Sequence, residues 1–162
     1  MTDLRGAGAA ARVSPVTASK FTKAASSARG AGGIVLFKGP RGKGQAAAAE
    51  KIAADAGVKM QQVDASRLKT KYAAEAEREL QRVFSAAEQK GWILFFDEAD
   101  ALFGSRTDVK DSHDRYANTE TSYVLDRLEK YRGLVILATN KPATIPPRIR
   151  KKYLTLIDFP LR

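Results

Sequence analysis

The sequence predicts an α/β fold in three layers, with a five-stranded parallel sheet covered by helices on both faces. Three observations predict it. From Gly33 onward, short β-branched and aromatic runs alternate with longer stretches of helical periodicity. The run Trp92-Ile93-Leu94-Phe95-Phe96 is apolar without alternation, the mark of a strand buried on both faces. A strand, a glycine-rich turn and a helix follow one another between residues 34 and 56, the unit from which parallel sheets are built.

Residues 1–32 are rich in Ala, Ser, Gly and Arg and poor in acids. They admit three readings: a flexible arm, a short helix or an organelle transit peptide. An arm carrying a short helix is favoured. Ser14 before Pro15 is a good N-cap and first-turn pair, and Thr17, Phe21, Ala24, Ala25 and Ala28 then share one helical face before Gly30. Asp3 and the lack of an Arg-rich amphipathic face argue against the transit peptide.

The core then spans 33–162. Ile34-Val35-Leu36-Phe37 reads as a buried strand ended by Gly39-Pro40, and Gln45 to Ala56 as an alanine-rich helix stopped by Gly57. Met60 to Val63 is a second, weaker strand. Leu80, Val83, Phe84 and Ala87 lie at helical spacing on a segment that Gly91 terminates, just before the Trp92 strand, where Trp92 reads as core packing. Ser105 to Ser112 is a polar, charged loop, and Ala117, Thr121, Val124, Leu125 and Leu128 predict a further amphipathic helix. Leu134-Val135-Ile136-Leu137 is a fourth buried strand, Pro142 to Pro147 is turn material, and Leu154-Thr155-Leu156-Ile157 is the last strand.

Composition narrows the function classes. The 162 residues suit one domain, and no apolar run approaches the ~20 residues that span a bilayer, so no membrane segment is expected. With no cysteine there is neither a disulfide framework nor a thiolate metal site, and the lone His113 builds no histidine cluster; a cytoplasmic protein is expected. The net charge of +10 suits an anionic partner, either a nucleotide or a nucleic acid. The cations are dispersed along the chain, densest at Arg148, Arg150, Lys151 and Lys152, which weakens the nucleic-acid reading.

The chemistry concentrates in two places. Gly39-Pro40-Arg41-Gly42-Lys43-Gly44-Gln45-Ala46 lies between a strand and a helix, where GxxxxGK[ST] is the pattern that wraps a phosphate in backbone N–H groups at a helix N-terminus. The glycines match. Gln45 stands where a lysine should reach the terminal phosphates, and Ala46 where a hydroxyl should hold Mg²⁺. Lys43, with Lys38 and Arg41 beside it, supplies positive charge in the same loop. The second place is Asp97-Glu98, at the carboxyl end of the most apolar strand, where ligands bind in open α/β sheets. There Asp97 is suited to hold Mg²⁺ through water and Glu98 to orient or deprotonate an attacking water.

The segments FFDEADALFG (Phe95 to Gly104), LVILATN (Leu134 to Asn140) and VDASRLKTKYAAEAERELQRVF (Val63 to Phe84) together resemble the AAA+ ATPases, P-loop enzymes, over roughly Gly33 to Pro160. The loop SRTDVKDSHDRYAN is similar to that of the bacterial type. The resemblance implies strand order 5-1-4-3-2, ATP and Mg²⁺ as ligands, and protein partners or a homo-oligomer. By the same resemblance Asn140 is the polar sensor that helps place the attacking water, and Tyr72 is the aromatic of a pore loop. Asp97-Glu98-Ala99-Asp100 also spells the DEAD-box helicase signature, but Leu102-Phe103-Gly104 and Asn140 fit AAA+ better. Tyr72 equally suits a plain packing aromatic, and the basic run at 148–152 a solvated turn.

Departures from the family pattern carry their own implications. Lys151 and Lys152 stand where paired arginines would reach a neighbouring subunit's nucleotide, and lysine lacks the planar fork that grips a phosphate twice. The pore loop reads Tyr72-Ala73-Ala74 without its usual glycine, and Arg162 comes before the helical lid expected in members. The resulting expectation is a degenerate or regulatory ATPase subunit with weak nucleotide binding and little turnover. Its rivals are an active ATPase remodelling a protein partner, in which Lys43 compensates, and a basic nucleic-acid-binding module.

Overall fold

The computed structural model describes residues 13–30, 32–68, 71–103 and 123–162. The loop SRTDVKDSHDRYAN, His113 and the expected helical positions Ala117 and Thr121 lie outside the described residues. Five parallel strands form one sheet: β1 (Gly33–Lys38), β2 (Met60–Asp64), β3 (Ile93–Asp97), β4 (Leu134–Thr139) and β5 (Tyr153–Asp158). Their order is β2-β3-β4-β1-β5, the 5-1-4-3-2 arrangement read from its other edge. The register runs Lys38 opposite Thr139 and Lys38 opposite Asp158, while Phe96 pairs with Leu137 and Asp64 with Asp97.

Among the described residues, six α-helical segments accompany the sheet: α1 (Pro15–Ala28), α2 (Gln45–Ala56), α3 (Ala65–Leu68), α4 (Ala73–Lys90), α5 (residues 123–130) and α6 (Pro147–Arg150). Because successive strand side chains point to opposite faces, each apolar strand feeds two separate cores. Val35, Phe37, Ile93, Phe95, Leu134 and Ile136 pack with α1 and α2. Ile34, Leu36, Leu94, Phe96, Val135 and Leu137 pack with Leu80, Phe84 and Ala87 of α4 and with Val124 and Leu128 of α5. This is why the central strands contain no polar alternation.

Helix α1 is part of the first of these cores. Ser14 Oγ accepts the Thr17 N–H, Pro15 opens the first turn, and Phe21, Ala24, Ala25 and Ala28 are buried. Small alanines on both α1 and α2 let the two helices approach closely, with Ala48, Ala49, Ile52, Ala53 and Ala56 on the facing side. The Lys20 ammonium donates to the Leu156 carbonyl at 2.7 Å, tying α1 to the edge strand β5. The helix foreseen in the first 32 residues thus docks on the sheet, and residues 15–28 belong to the folded core.

Candidate functional site

Strand β4 lies between β1 and β3, so the loop that leaves β1 and the acids that end β3 flank the carboxyl end of β4. There, a cavity of about 360 Å³ is lined by Gly39, Arg41 and Gln45 of the loop, Asp97 and Glu98, and Thr139 and Asn140, among others. Topology therefore brings together the glycine-rich loop, the paired acids and the polar residue after β4, as ligand sites at topological switch points require.

Backbone geometry shapes the loop. Gly39 has φ +150, its N–H donates to the Thr139 carbonyl at 3.1 Å, and a Cβ there would collide with the Phe159 carbonyl. Gly44 caps α2 at φ 98 with no side-chain cap, a left-handed geometry that favours glycine. The first turn of a helix carries N–H groups without intrahelical partners, and in α2 that turn follows the loop directly, an arrangement that suits an anion.

Gln45, at the start of α2, has its own partners. Gln45 is 6% exposed; its Nε2 donates to the Pro40 carbonyl at 2.7 Å and its Oε1 accepts the Lys43 N–H at 2.9 Å. The carboxamide therefore bonds across the loop from within, using one carbonyl and one N–H that face it. Ala46 is half-buried and presents only a methyl group. Pro40, Gly42, Lys43 and Gly44 are exposed along the loop's outer side.

Arg41 reaches the acids. Its Nε lies 3.3 Å from Asp97 Oδ2, its Nη1 3.1 Å from Glu98 Oε1, and its Nη2 3.3 Å from Asp64 Oδ2. Asp97, then Glu98 and Asp64, raise the Arg41 pKa above its usual value. Asp97 Oδ1 accepts the Glu98 N–H at 3.0 Å. Glu98 sits at φ 52 and ψ 49, the one non-glycine with positive φ among the described residues, so the acid ends β3 in a strained turn that also caps a 3-10 helix over Ala99–Leu102.

Sequence reasoning passed over Asp64, Asp100 and Thr139. Burial pushes the Asp64 carboxyl up, but hydrogen bonds from Ser66 N–H and Oγ, then Arg41, outweigh it and leave Asp64 below the ordinary carboxylate value. The signal was Asp64-Ala65-Ser66 at the end of a strand, an acid placed to cap the next helix. Thr139 is buried, donates to Asp100 Oδ1 at 2.8 Å and accepts the Lys141 N–H at 2.9 Å, fixing the turn that carries Asn140. A threonine as the last residue of an all-apolar strand was its only signature.

The remaining expected residues lie apart from the cavity. Tyr72 is 82% exposed at the start of α4, and Lys151 and Lys152 are exposed in the turn before β5. Arg148 folds back onto α5, pairing with Asp126 at 2.6 Å and with Glu129. That part of the basic run is engaged within the chain.

A parallel sheet in this order, with a glycine-rich loop after its central strand and an acidic pair after β3, defines a P-loop nucleoside-triphosphatase core. The chain belongs to the ATPase family associated with various cellular activities (AAA), whose model matches residues 35–161. It is similar to Fidgetin-like protein 1 of Drosophila melanogaster, 32% identical over 133 residues covering 80% of this chain and 25% of that protein. It is also similar to ribosome biogenesis ATPase RIX7 of Saccharomyces cerevisiae, 35% identical over 119 residues, 72% of this chain and 14% of that one. The 26S proteasome subunit RPT4 of the same yeast is 32% identical over 120 residues, 71% of this chain and 28% of that one. The chain thus spans about a quarter or less of the length of most of these relatives. Among the described residues, no helix is long and apolar enough to cross a membrane.

The family's ligands are ATP and Mg²⁺. For the polyphosphate the residues fit in part: the N–H groups of the loop and of the first turn of α2 suit it, whereas Gln45 supplies no charge. For the metal they do not fit. Ala46 offers no side-chain oxygen, and the Asp97 carboxylate is paired with Arg41.

Proposed function

We propose that this chain is a degenerate or regulatory AAA+ subunit that binds nucleotide weakly and turns it over little. The observation that carries the reading is the Gln45 carboxamide, hydrogen-bonded to Pro40 O and Lys43 N–H where the family's lysine would meet phosphate. A charge-assisted hydrogen bond contributes roughly 1.5–3 kcal/mol, so its loss weakens binding about 10- to 100-fold. The hydroxyl missing at Ala46 adds to that deficit. Lys43 is a poor substitute, because it stands two residues earlier, on the exposed part of the loop.

Asp97, Glu98 and Asn140 keep the layout of a hydrolytic site, with Glu98 the general base and Asn140 orienting water in the ancestral reaction. Lys151 and Lys152 are proposed to face a neighbouring subunit, and Tyr72, the most exposed large aromatic among the described residues, to meet a polypeptide. The loop SRTDVKDSHDRYAN supports a place among the bacterial type, and the absence of cysteine a cytoplasmic setting.

Calorimetric titration with Mg·ATP tests the reading, with Gln45→Lys/Ala46→Thr as the repaired partner. Wild type is expected to bind at least ~10-fold more weakly than the repaired protein. Vigorous ATP turnover by wild type, abolished by Glu98→Gln, would overturn it.

A further inference from the structure

The carboxylates at the end of the sheet already have a cation, and it comes from the phosphate loop itself. A guanidinium offers five N–H donors in a rigid plane. Arg41 uses all three of its nitrogens on three different carboxylates, one from β2 and two from the end of β3. The second oxygens of Asp97 and Asp64 are engaged as well. Asp97 Oδ2 meets Arg41 while Oδ1 accepts the Glu98 N–H; Asp64 Oδ2 meets Arg41 while Oδ1 accepts both Ser66 donors. A divalent ion entering here would have to displace the guanidinium, and Ala46 would give it nothing in return. Pro40, with its fixed φ, and the Gln45 bond to Pro40 O brace the backbone from which Arg41 reaches across.

We infer that Arg41 is a resident cation standing in for the divalent metal, so that this pocket takes the polyphosphate of a nucleotide without magnesium. The inference rests on the reading that the pocket accepts a polyphosphate and goes beyond it in naming the ligand's form, the metal-free nucleotide. Arg41 neutralises part of the acidic cluster that would otherwise repel phosphate, and it lines the cavity where the phosphates would sit. The loss of the hydroxyl at Ala46 and the Arg41 bridge then form one change: a site that no longer recruits a metal has no use for a metal ligand.

The test is a fluorescence titration of the whole chain with mant-ATP and mant-ADP, in excess EDTA and in millimolar Mg²⁺. Wild type should bind with the same dissociation constant in both, within about threefold, whereas Arg41→Ala and Arg41→Gln should bind at least ~5-fold more tightly with Mg²⁺ than without. A wild-type dependence on Mg²⁺ of more than about threefold, or variants that respond to Mg²⁺ no more than wild type does, overturns the inference. Should wild type bind neither nucleotide, the polyphosphate reading fails, and Mn²⁺ binding followed by electron paramagnetic resonance decides the role of Arg41 alone. Mn²⁺ held at least ~5-fold more tightly by Arg41→Gln than by wild type keeps Arg41 as the metal's replacement, and equal affinity overturns it.

Discussion

Thr139 Oγ1 donates to Asp100 Oδ1 at 2.8 Å, joining the last residue of β4 to the turn that follows β3. The same hydroxyl accepts the Lys141 N–H, so one buried side chain holds both neighbours of Asn140 in place. Replacing it with the isosteric Thr139→Val removes both bonds and leaves Asp100 and Lys141 N–H to find others. A loss of about 1–3 kcal/mol is expected in urea unfolding, with Thr139→Ser within ~0.5 kcal/mol of wild type. Equal stability of the valine and serine variants would show that the hydroxyl contributes only volume.

Helix α1 gives a second test, because an arm and a core element respond differently to truncation. Phe21 is 4% exposed against the sheet, while Val16 on the same helix is 66% exposed. Phe21→Ala should cost about 3–5 kcal/mol through the lost burial and the cavity left behind, and Val16→Ala should stay within ~0.5 kcal/mol. A Phe21→Ala protein as stable as wild type would return residues 15–28 to the status of an appendage.

Two tyrosines near the sheet behave oppositely. Tyr131 donates its hydroxyl to the Trp92 carbonyl, whereas the buried Tyr153 hydroxyl has no partner among the described residues. Tyr131→Phe should destabilise by about 1 kcal/mol, and Tyr153→Phe should leave stability unchanged or raise it by up to ~1 kcal/mol. Burial raises the Tyr153 pKa to about 12, above its ordinary value of 10.0. Its folded pKa exceeds the unfolded one, so this contribution is fully present below pH 10 and lost as pH rises through 12. Unfolding measured across that window should decline less steeply in Tyr153→Phe.

Acid should act through Asp64, whose folded pKa lies below the ordinary 3.8. A depressed carboxyl stabilises the fold above the unfolded pKa, and the contribution disappears as pH falls through the folded value. Asp64→Asn should therefore flatten the stability profile below pH 4, about where the unfolded carboxyl begins to take up its proton. In Ser66→Ala, carboxyl titration by NMR should find the Asp64 pKa moved upward, because its two Ser66 donors at 3.1 and 2.6 Å are reduced to the backbone one. An unmoved pKa would mean that Ser66 does not hold this carboxylate.

The strands and helices were legible because each depends on local periodicity. Ile93 to Phe96 could be nothing but a doubly covered strand, and Ser14-Pro15 announced the start of α1 as surely as Gly57 and Gly91 announced the ends of α2 and α4. The candidate site was legible where residue type recurs at fixed spacing: Gly39, Arg41, Gln45, Asp97, Glu98 and Asn140 were singled out by position along the chain, and they line one cavity. What stayed hidden depends on pairs far apart in sequence. Arg41 with Asp64, and Thr139 with Asp100, are separated by 23 and 39 residues, and nothing local to either member marks the other.

The chain alone therefore determined the layers, the strand types and the glycine-rich turn with Gln45 and Ala46 at the start of its helix, since these follow from side-chain period and from residue type at a named position. Only the tertiary structure decided what the loop's side chains meet: Gln45 bonds across it, and Arg41 crosses to the acids. A side chain's partner is set by which strand ends the sheet order places side by side, and inserting β4 between β1 and β3 is a choice made by the packing of two whole cores.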